Sequence, residues 1–195
     1  MEAKTDQTPP SKGEAARGRI LRAAAQLFVQ NGYHNTGIRE VIAAAHCSKG
    51  SFYFYFPSKE ALGAAVLQFY QARLLASFRE MAVGCGFRAF SSALMDFVIG
   101  NTERGINFGC PFAVLGMETA FTAPTLSRLS YEAMQESVAI FALPFLHSGL
   151  DESTAMRQAE CAFACYEGYM LRYRLSGDAA ELHKLREALE AFTSD

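Results

Sequence analysis

Apolar residues along this chain recur at the three-to-four-residue spacing of helices, and the polar residues between them fall where helices start and stop. Residues 1–13, rich in Thr, Pro, Lys and Gly, carry no apolar period and read as a disordered arm. From Glu14 the period begins: Ile20, Ala24, Leu27 and Phe28 stand at i, i+4, i+7 and i+8 and form one stripe. Asn31-Gly32 ends this first helix with a pair suited to a left-handed C-cap. Thr36 is placed to cap a second helix over 37–45, with Ile38, Val41 and Ile42 facing inward. His46-Cys47 makes a short turn, and Ser48 caps a third helix over 49–55. Pro57 stops that helix, because the residue before a proline is pushed out of the α region. Ser58 then caps a fourth helix from Lys59 to about Met81, with Glu60 in its first turn, where a carboxylate complements the dipole.

Gly84-Cys85-Gly86 breaks the pattern, and helices are expected again over 87–101, 110–122, 125–148, 152–175 and 178–193. No run of alternating β-branched residues appears, so the expected fold is all-α. Two short helices joined by a tight turn and packed on a longer first helix have the geometry of a helix-turn-helix reader. The chain then divides into that three-helix unit over 14–60 and a helical remainder over 61–195.

Composition sharpens this picture in one respect. The net charge of −2 says little, but residues 1–60 hold eight Lys/Arg against five Asp/Glu while the remainder holds ten against fifteen. A basic end on an acidic body points the first part toward phosphate. The polar start MEAKTDQTPPSKGEAARGR does not read as a secretory signal, and no later stretch supplies about 18 uncharged apolar residues, so neither export nor a membrane span is expected. Five cysteines without framework spacing fit reduced thiols in the cytoplasm.

Within the third helix, Phe52 and Phe56 lie four apart and point inward, while Lys49, Ser51, Tyr53 and Tyr55 offer a cation and three hydroxyls to phosphates and base edges. Gly50 lets the backbone approach DNA closely. Enzyme chemistry finds no counterpart motif: GxGxxG, P-loop, HExxH and GxSxG are all missing, and the four histidines are scattered. No cofactor or metal is expected. Cys161 and Cys165, at i and i+4, are open to metal binding, to pairing on oxidation, or to plain packing between helices.

The stretch RILRAAAQLFVQNGYHNTGIREVIAAAHCSKGSFYFYFPSKEAL resembles the DNA-binding signature of the TetR family over about residues 17–62. The resemblance implies an N-terminal helix-turn-helix DNA-binding domain, a C-terminal helical ligand-binding and dimerisation domain, and a homodimeric repressor of palindromic operator DNA released by a small-molecule inducer. It assigns Thr36 to capping and phosphate, Arg39 to the backbone or groove edge, and Lys49, Gly50 and Ser51 to the approach to bases, and it counts Ser48 among the DNA-binding residues. Tyr53 and Tyr55 are assigned to phosphate or base edges, Lys59 to phosphate, and Tyr33 to the place of a phosphate-contacting tyrosine. The sequence departs from the family pattern at the turn, where Ala45-His46-Cys47 replaces the usual Ala-Gly-Val. Histidine tolerates the left-handed conformation that a glycine there would adopt, and Cys47 can stand in for valine as a small hydrophobe.

In the C-terminal part, Phe90, Phe108, Cys110, Phe112, Phe121, Tyr131, Met134, Phe163, Tyr166 and Met170 are candidates to line an apolar ligand pocket, and a stripe of this kind also fits plain core. GCPFAVLGMETA resembles a TetR subgroup in which this helix starts with Gly-Cys. Pro111 suits a first helical turn and places Cys110 at the N-cap, where the dipole is expected to lower its pKa and raise its reactivity. Two readings stay open: a thiol sensor of oxidants or electrophiles, and a packing residue at a tight corner. Leu182, Leu185, Leu189 and Phe192 recur at three, four and three, and with Ala155, Ala159, Ala162 and Tyr166 they form either a four-helix dimer seam or a core private to one chain. The mechanism expected is a population shift in which the fourth helix moves as a lever and changes the separation of the two DNA heads.

Overall fold

The reading of the first element changes at its start. In the computed structural model, which describes residues 11–106 and 109–193, Ser11 accepts the Glu14 N–H at 3.2 Å while the Glu14 carboxylate accepts the Ser11 N–H at 2.8 Å. This reciprocal capping box starts the helix at Lys12. Residues 11–13 therefore belong to the helical unit and not to an arm; the rest of the expected arm, 1–10, lies outside the described residues.

The helices are α1 (Lys12–Asn31), α2 (Ile38–Ala44), α3 (Lys49–Tyr55), α4 (Lys59–Ala82), α5 (Phe87–Glu103), α6 (Pro111–Thr119), α7 (Pro124–His147), α8 (Glu152–Ser176) and α9 (Ala180–Glu190). The described residues contain no strand. Ser48, Ser58 and Asp151 cap α3, α4 and α8 through side-chain bonds to the Ser51, Ala61 and Thr154 N–H groups. The turn between α2 and α3 works through His46, whose φ of 48° is left-handed.

Thr36 does not cap α2. Gly37 takes the N-cap, and its N–H is held by the Glu40 carboxylate at 2.6 Å. Thr36 is fully buried instead, its hydroxyl donating back to the Gly32 carbonyl at 2.8 Å. A threonine hydroxyl serves a nearby carbonyl as readily as a cap, and here the interior carbonyl won.

The core forms two clusters. One joins α1, α2 and α3 to the first half of α4, to α6 and to the start of α7, with Phe28, Phe52, Leu62, Phe112, Leu115 and Leu126 at its centre. The other fills the far end, where Phe78, Phe90, Leu94, Phe141, Phe163 and Leu185 pack between α4, α5, α7, α8 and α9. The packing of the N-terminal head thus continues past residue 60 into α6. Gly63 permits this approach: a Cβ there would lie 2.8 Å from Leu126.

Candidate nucleic-acid interface and the cleft behind it

α3 is short and its two faces are sharply divided. Phe52 and Phe56 are buried against α1, and the Arg17 guanidinium sits 5.3 Å above the Phe56 ring. Ser48, Lys49 and Gly50 are exposed on the outer side, Tyr53 is 43% exposed and Phe54 is 80% exposed. Lys49 and Tyr53, like Gly50 and Phe54, stand four apart and so neighbour each other on the helix surface. Arg39 adds an exposed cation from α2. The result is a strip carrying a cation, a phenol, a bare backbone and an apolar ring, the functional groups needed for phosphate, base edge and thymine methyl. Phe54 was absent from the sequence-based candidates. Its signal was available, since Phe52 and Phe56 already occupy the inner positions and force Phe54 outward.

Other candidate contacts are less exposed. Ser51 and Tyr55 are half-buried, and the Tyr55 hydroxyl abuts α1, 3.2 Å from where a Cβ on Gly13 would stand. Tyr33 is buried edge-on against Phe28, and burial followed by nearby Glu60 raises its pKa. The Lys59 ammonium lies 4.5 Å above the Tyr33 ring and donates to the His34 carbonyl at 3.3 Å. Burial lowers the Lys59 pKa, and Glu118 and Glu40 oppose that shift. Tyr33, Thr36 and Lys59 therefore fix the α1–α2 turn from within.

That turn is gripped from the other half of the chain. The Glu118 carboxylate at the end of α6 accepts the His34 N–H at 3.0 Å, and the His34 ring Nε2 lies 2.9 Å from the Glu118 carbonyl and 3.0 Å from the Thr122 hydroxyl. Gly32, at φ 91°, makes room: a Cβ there would lie 2.6 Å from a Glu118 oxygen. Phe112, Ala113, Gly116, Met117 and Ala120, on another side of the α6 segment, line a cleft of about 440 Å³ completed by Ser127, Ser130, Tyr131 and Met134 of α7 and Glu167, Gly168 and Leu171 of α8. Among the described residues, Glu167 is the only charged one lining it.

Residues 20–66 match the model of the bacterial regulatory proteins of the tetR family, and residues 87–188 match that of the C-terminal domain of LmrA/YxaF-like transcriptional regulators. The second match alone covers just over half of the 195 residues. The chain belongs to the TetR family. It is a DNA-binding transcriptional regulator and not an enzyme. The regulator LmrA of Bacillus subtilis (strain 168) is 27% identical over 163 residues, 80% of this chain and 85% of that one. The uncharacterized regulator YxaF of the same organism is 24% identical over 184 residues, 92% and 95% of the two chains. Among solved structures, the regulatory protein TetR from Rhodobacter sphaeroides superposes with a TM-score of 0.83 at 21% identity, covering 91% of this chain and 98% of that one. Regulators of this family bind operator DNA, work as dimers and respond to small-molecule ligands.

The ligand-pocket candidates separate in this TetR-family structure. Phe112, Tyr131 and Met134 do line the cleft. Phe90 and Phe163 are packed in the far core, and Phe121 is 98% exposed on the α6–α7 turn, so the structure does not bring these three to the cleft. Tyr166 and Met170 line a different cavity of about 110 Å³ beside Phe97 and Tyr70, well below the ~300 Å³ at which ligand pockets begin. Phe108 lies outside the described residues.

Cys110 is the N-cap residue of α6, as the sequence implied, but its thiol is buried and its pKa is pushed well above the ordinary value. Burial is the first cause and nearby Glu167 the second; the Ala113 and Phe112 N–H groups act in the lowering direction and lose. The expected activation by the dipole is thus overturned by desolvation, and the packing reading describes the site. Its neighbour Glu167 escaped sequence reading entirely: burial raises its carboxyl to about 7, against a lowering hydrogen bond from Cys110.

The expected dimer seam is also corrected. Ala155, Ala159, Ala162, Leu182, Leu185 and Leu189 are all buried within one chain, between α8, α9 and α5, and Phe192 packs on Phe87. The spacing was right for helix pairing, and the partner helix is in the same chain. Exposed large hydrophobics on these helices include Tyr131, Leu143 and Leu146 of α7 and Met156, Leu171 and Leu175 of α8. No described helix is long and apolar enough to cross a membrane.

Proposed function

We propose that this TetR-family regulator is a cytoplasmic repressor that holds palindromic operator DNA as a homodimer and is released when a small molecule enters the α6–α7–α8 cleft. The observation that carries this reading is the double use of the α6 segment. One side lines the cleft, and Glu118 at its end holds the α1–α2 turn of the DNA-reading head through His34. A ligand that displaces α6 shifts that turn directly, and α4, held to it through Lys59, follows. The two heads must lie ~34–36 Å apart, or a multiple of this, to meet successive major grooves, so a small tilt is enough to break the fit. The exposed apolar residues of α7 and α8, Tyr131, Leu143, Leu146, Leu171 and Leu175, support a second copy docking there.

In the reader itself, Lys49 and Arg39 take phosphate, Tyr53 takes phosphate or base edge, and Phe54 takes a thymine methyl. Gel shifts on genomic fragments across a salt series test this. Lys49→Ala should flatten the salt slope by ~0.9 for each head. Unchanged affinity and slope in both Lys49→Ala and Tyr53→Ala would overturn the assignment.

A further inference from the structure

The cleft between α6, α7 and α8 is mostly apolar, and two of its polar groups lack partners. Ser130 Oγ and Glu167 Oε1 are both out of solvent and make no hydrogen bond. Buried polar atoms in folded proteins are satisfied in nine cases out of ten or more, and these two line the same cavity. Among the described residues, no Lys or Arg lines it to balance the carboxylate. The other residue that binds Glu167 is Cys110, a weak thiol donor that leaves Oε1 unmet. The walls are Phe112, Met117, Tyr131, Met134 and Leu171, which accept a ring or chain of up to the 440 Å³ available.

We propose that this cleft binds amphipathic amines, the apolar body seated among Phe112, Met134 and Leu171 and the protonated nitrogen paired with the Glu167 carboxylate and hydrogen-bonded to Ser130 Oγ. The inference rests on reading the cleft as the inducer site, and it adds the charge and class of the ligand. An anion is excluded by the carboxylate it would face. Above pH 7, where Glu167 is ionised, a neutral ligand leaves the charge buried without a counterion, which a low-dielectric site penalises. An ammonium supplies both the missing donor and the missing charge.

The test uses dansylcadaverine, a fluorescent naphthalene on a primary amine tether, and its N-acetyl derivative, which differs in losing the positive charge. Dansyl emission moves to the blue in an apolar cleft, so both are titrated into the intact protein without DNA at pH 8, where Glu167 is ionised and the probe's amine is still protonated. The wild type should bind the amine on the order of tenfold more tightly than the acetylated probe. Glu167→Gln, which keeps the size and a carbonyl acceptor for Cys110, should bring the two probes to within about twofold. Equal affinity of the probes for the wild type overturns the proposal, and this comparison needs no variant to fold. An amine preference that survives in Glu167→Gln places the cation elsewhere and also overturns it. Because neither readout involves operator DNA, a failed amine preference beside intact loss of DNA binding in Lys49→Ala would sink the amine proposal and leave the repressor reading standing.

Discussion

Glu167→Gln also makes a prediction about stability that needs no ligand. The carboxyl is raised from its ordinary 4.5 to about 7 by burial, which outweighs the lowering bond from Cys110. A folded chain that binds this proton more tightly than the unfolded chain has the associated stability in full below pH 4.5 and loses it as pH rises through 7. At ~1.4 kcal/mol per tenfold in proton affinity, the ionised carboxylate costs the fold about 3 kcal/mol. The titratable groups that face it, Cys110 and Tyr166, are both pushed upward by burial and stay neutral in this range. Replacing Glu167 with glutamine removes the proton linkage. The variant should therefore gain about 1 kcal/mol over wild type at pH 5 and about 3 kcal/mol at pH 8, with no further change above. Urea unfolding followed by circular dichroism at both pH values, at one fixed protein concentration because a dimer's stability depends on it, measures the two differences. A difference that does not change between pH 5 and pH 8, or a wild type more stable than the variant at pH 8, would refute the reasoning.

Three further outcomes follow from the packing. Cys110 should resist alkylation in the native protein while exposed Cys161 reacts, and peptide mapping after timed labelling checks the order; rapid native labelling of Cys110 would restore the thiol-sensor reading. Leu185→Ala, at a fully buried position in the private core, should cost about 2–5 kcal/mol of stability, whereas Leu143→Asp at an exposed position of α7 should leave the single chain folded and shift sedimentation toward monomer. Glu118→Ala removes the acceptor of the His34 N–H and should lower Tm by about 2–4 °C, the value of ~1 kcal/mol in a chain of this size, and weaken operator binding with Lys49 untouched; calorimetry and gel shift read the two effects.

The helices and the reading face were legible because they follow from short-range rules. Ser48, Ser58 and Asp151 cap where local sequence says a cap is needed, and Phe52 with Phe56 determine by spacing alone which side of α3 looks outward. The failures share a different cause. Thr36 had a choice between an amide ahead of it and a carbonyl behind it, and only the path of the turn over α1 decides. Cys110 sat at a helix start whose dipole acts in the expected direction; what reversed the outcome was burial beside Glu167, a residue 57 positions later in the chain. A sequence window shows the nearby dipole and hides the distant desolvation.

The dimer seam illustrates the same limit in a stronger form. A leucine at every third or fourth position states that a helix needs an apolar partner, and it carries no mark of which chain the partner belongs to. α9 met that need with α5 and α8 of its own chain. On the proposal that a second copy docks on α7 and α8, Tyr131 and Leu171 lie both on that surface and on the wall of the cleft. A copy docked there would close the cleft's mouth, so ligand entry and the fit between protomers become one equilibrium. Binding that prefers one arrangement of the two copies shifts the separation of their DNA heads by the same free energy, without any need for a signal to travel through the far core.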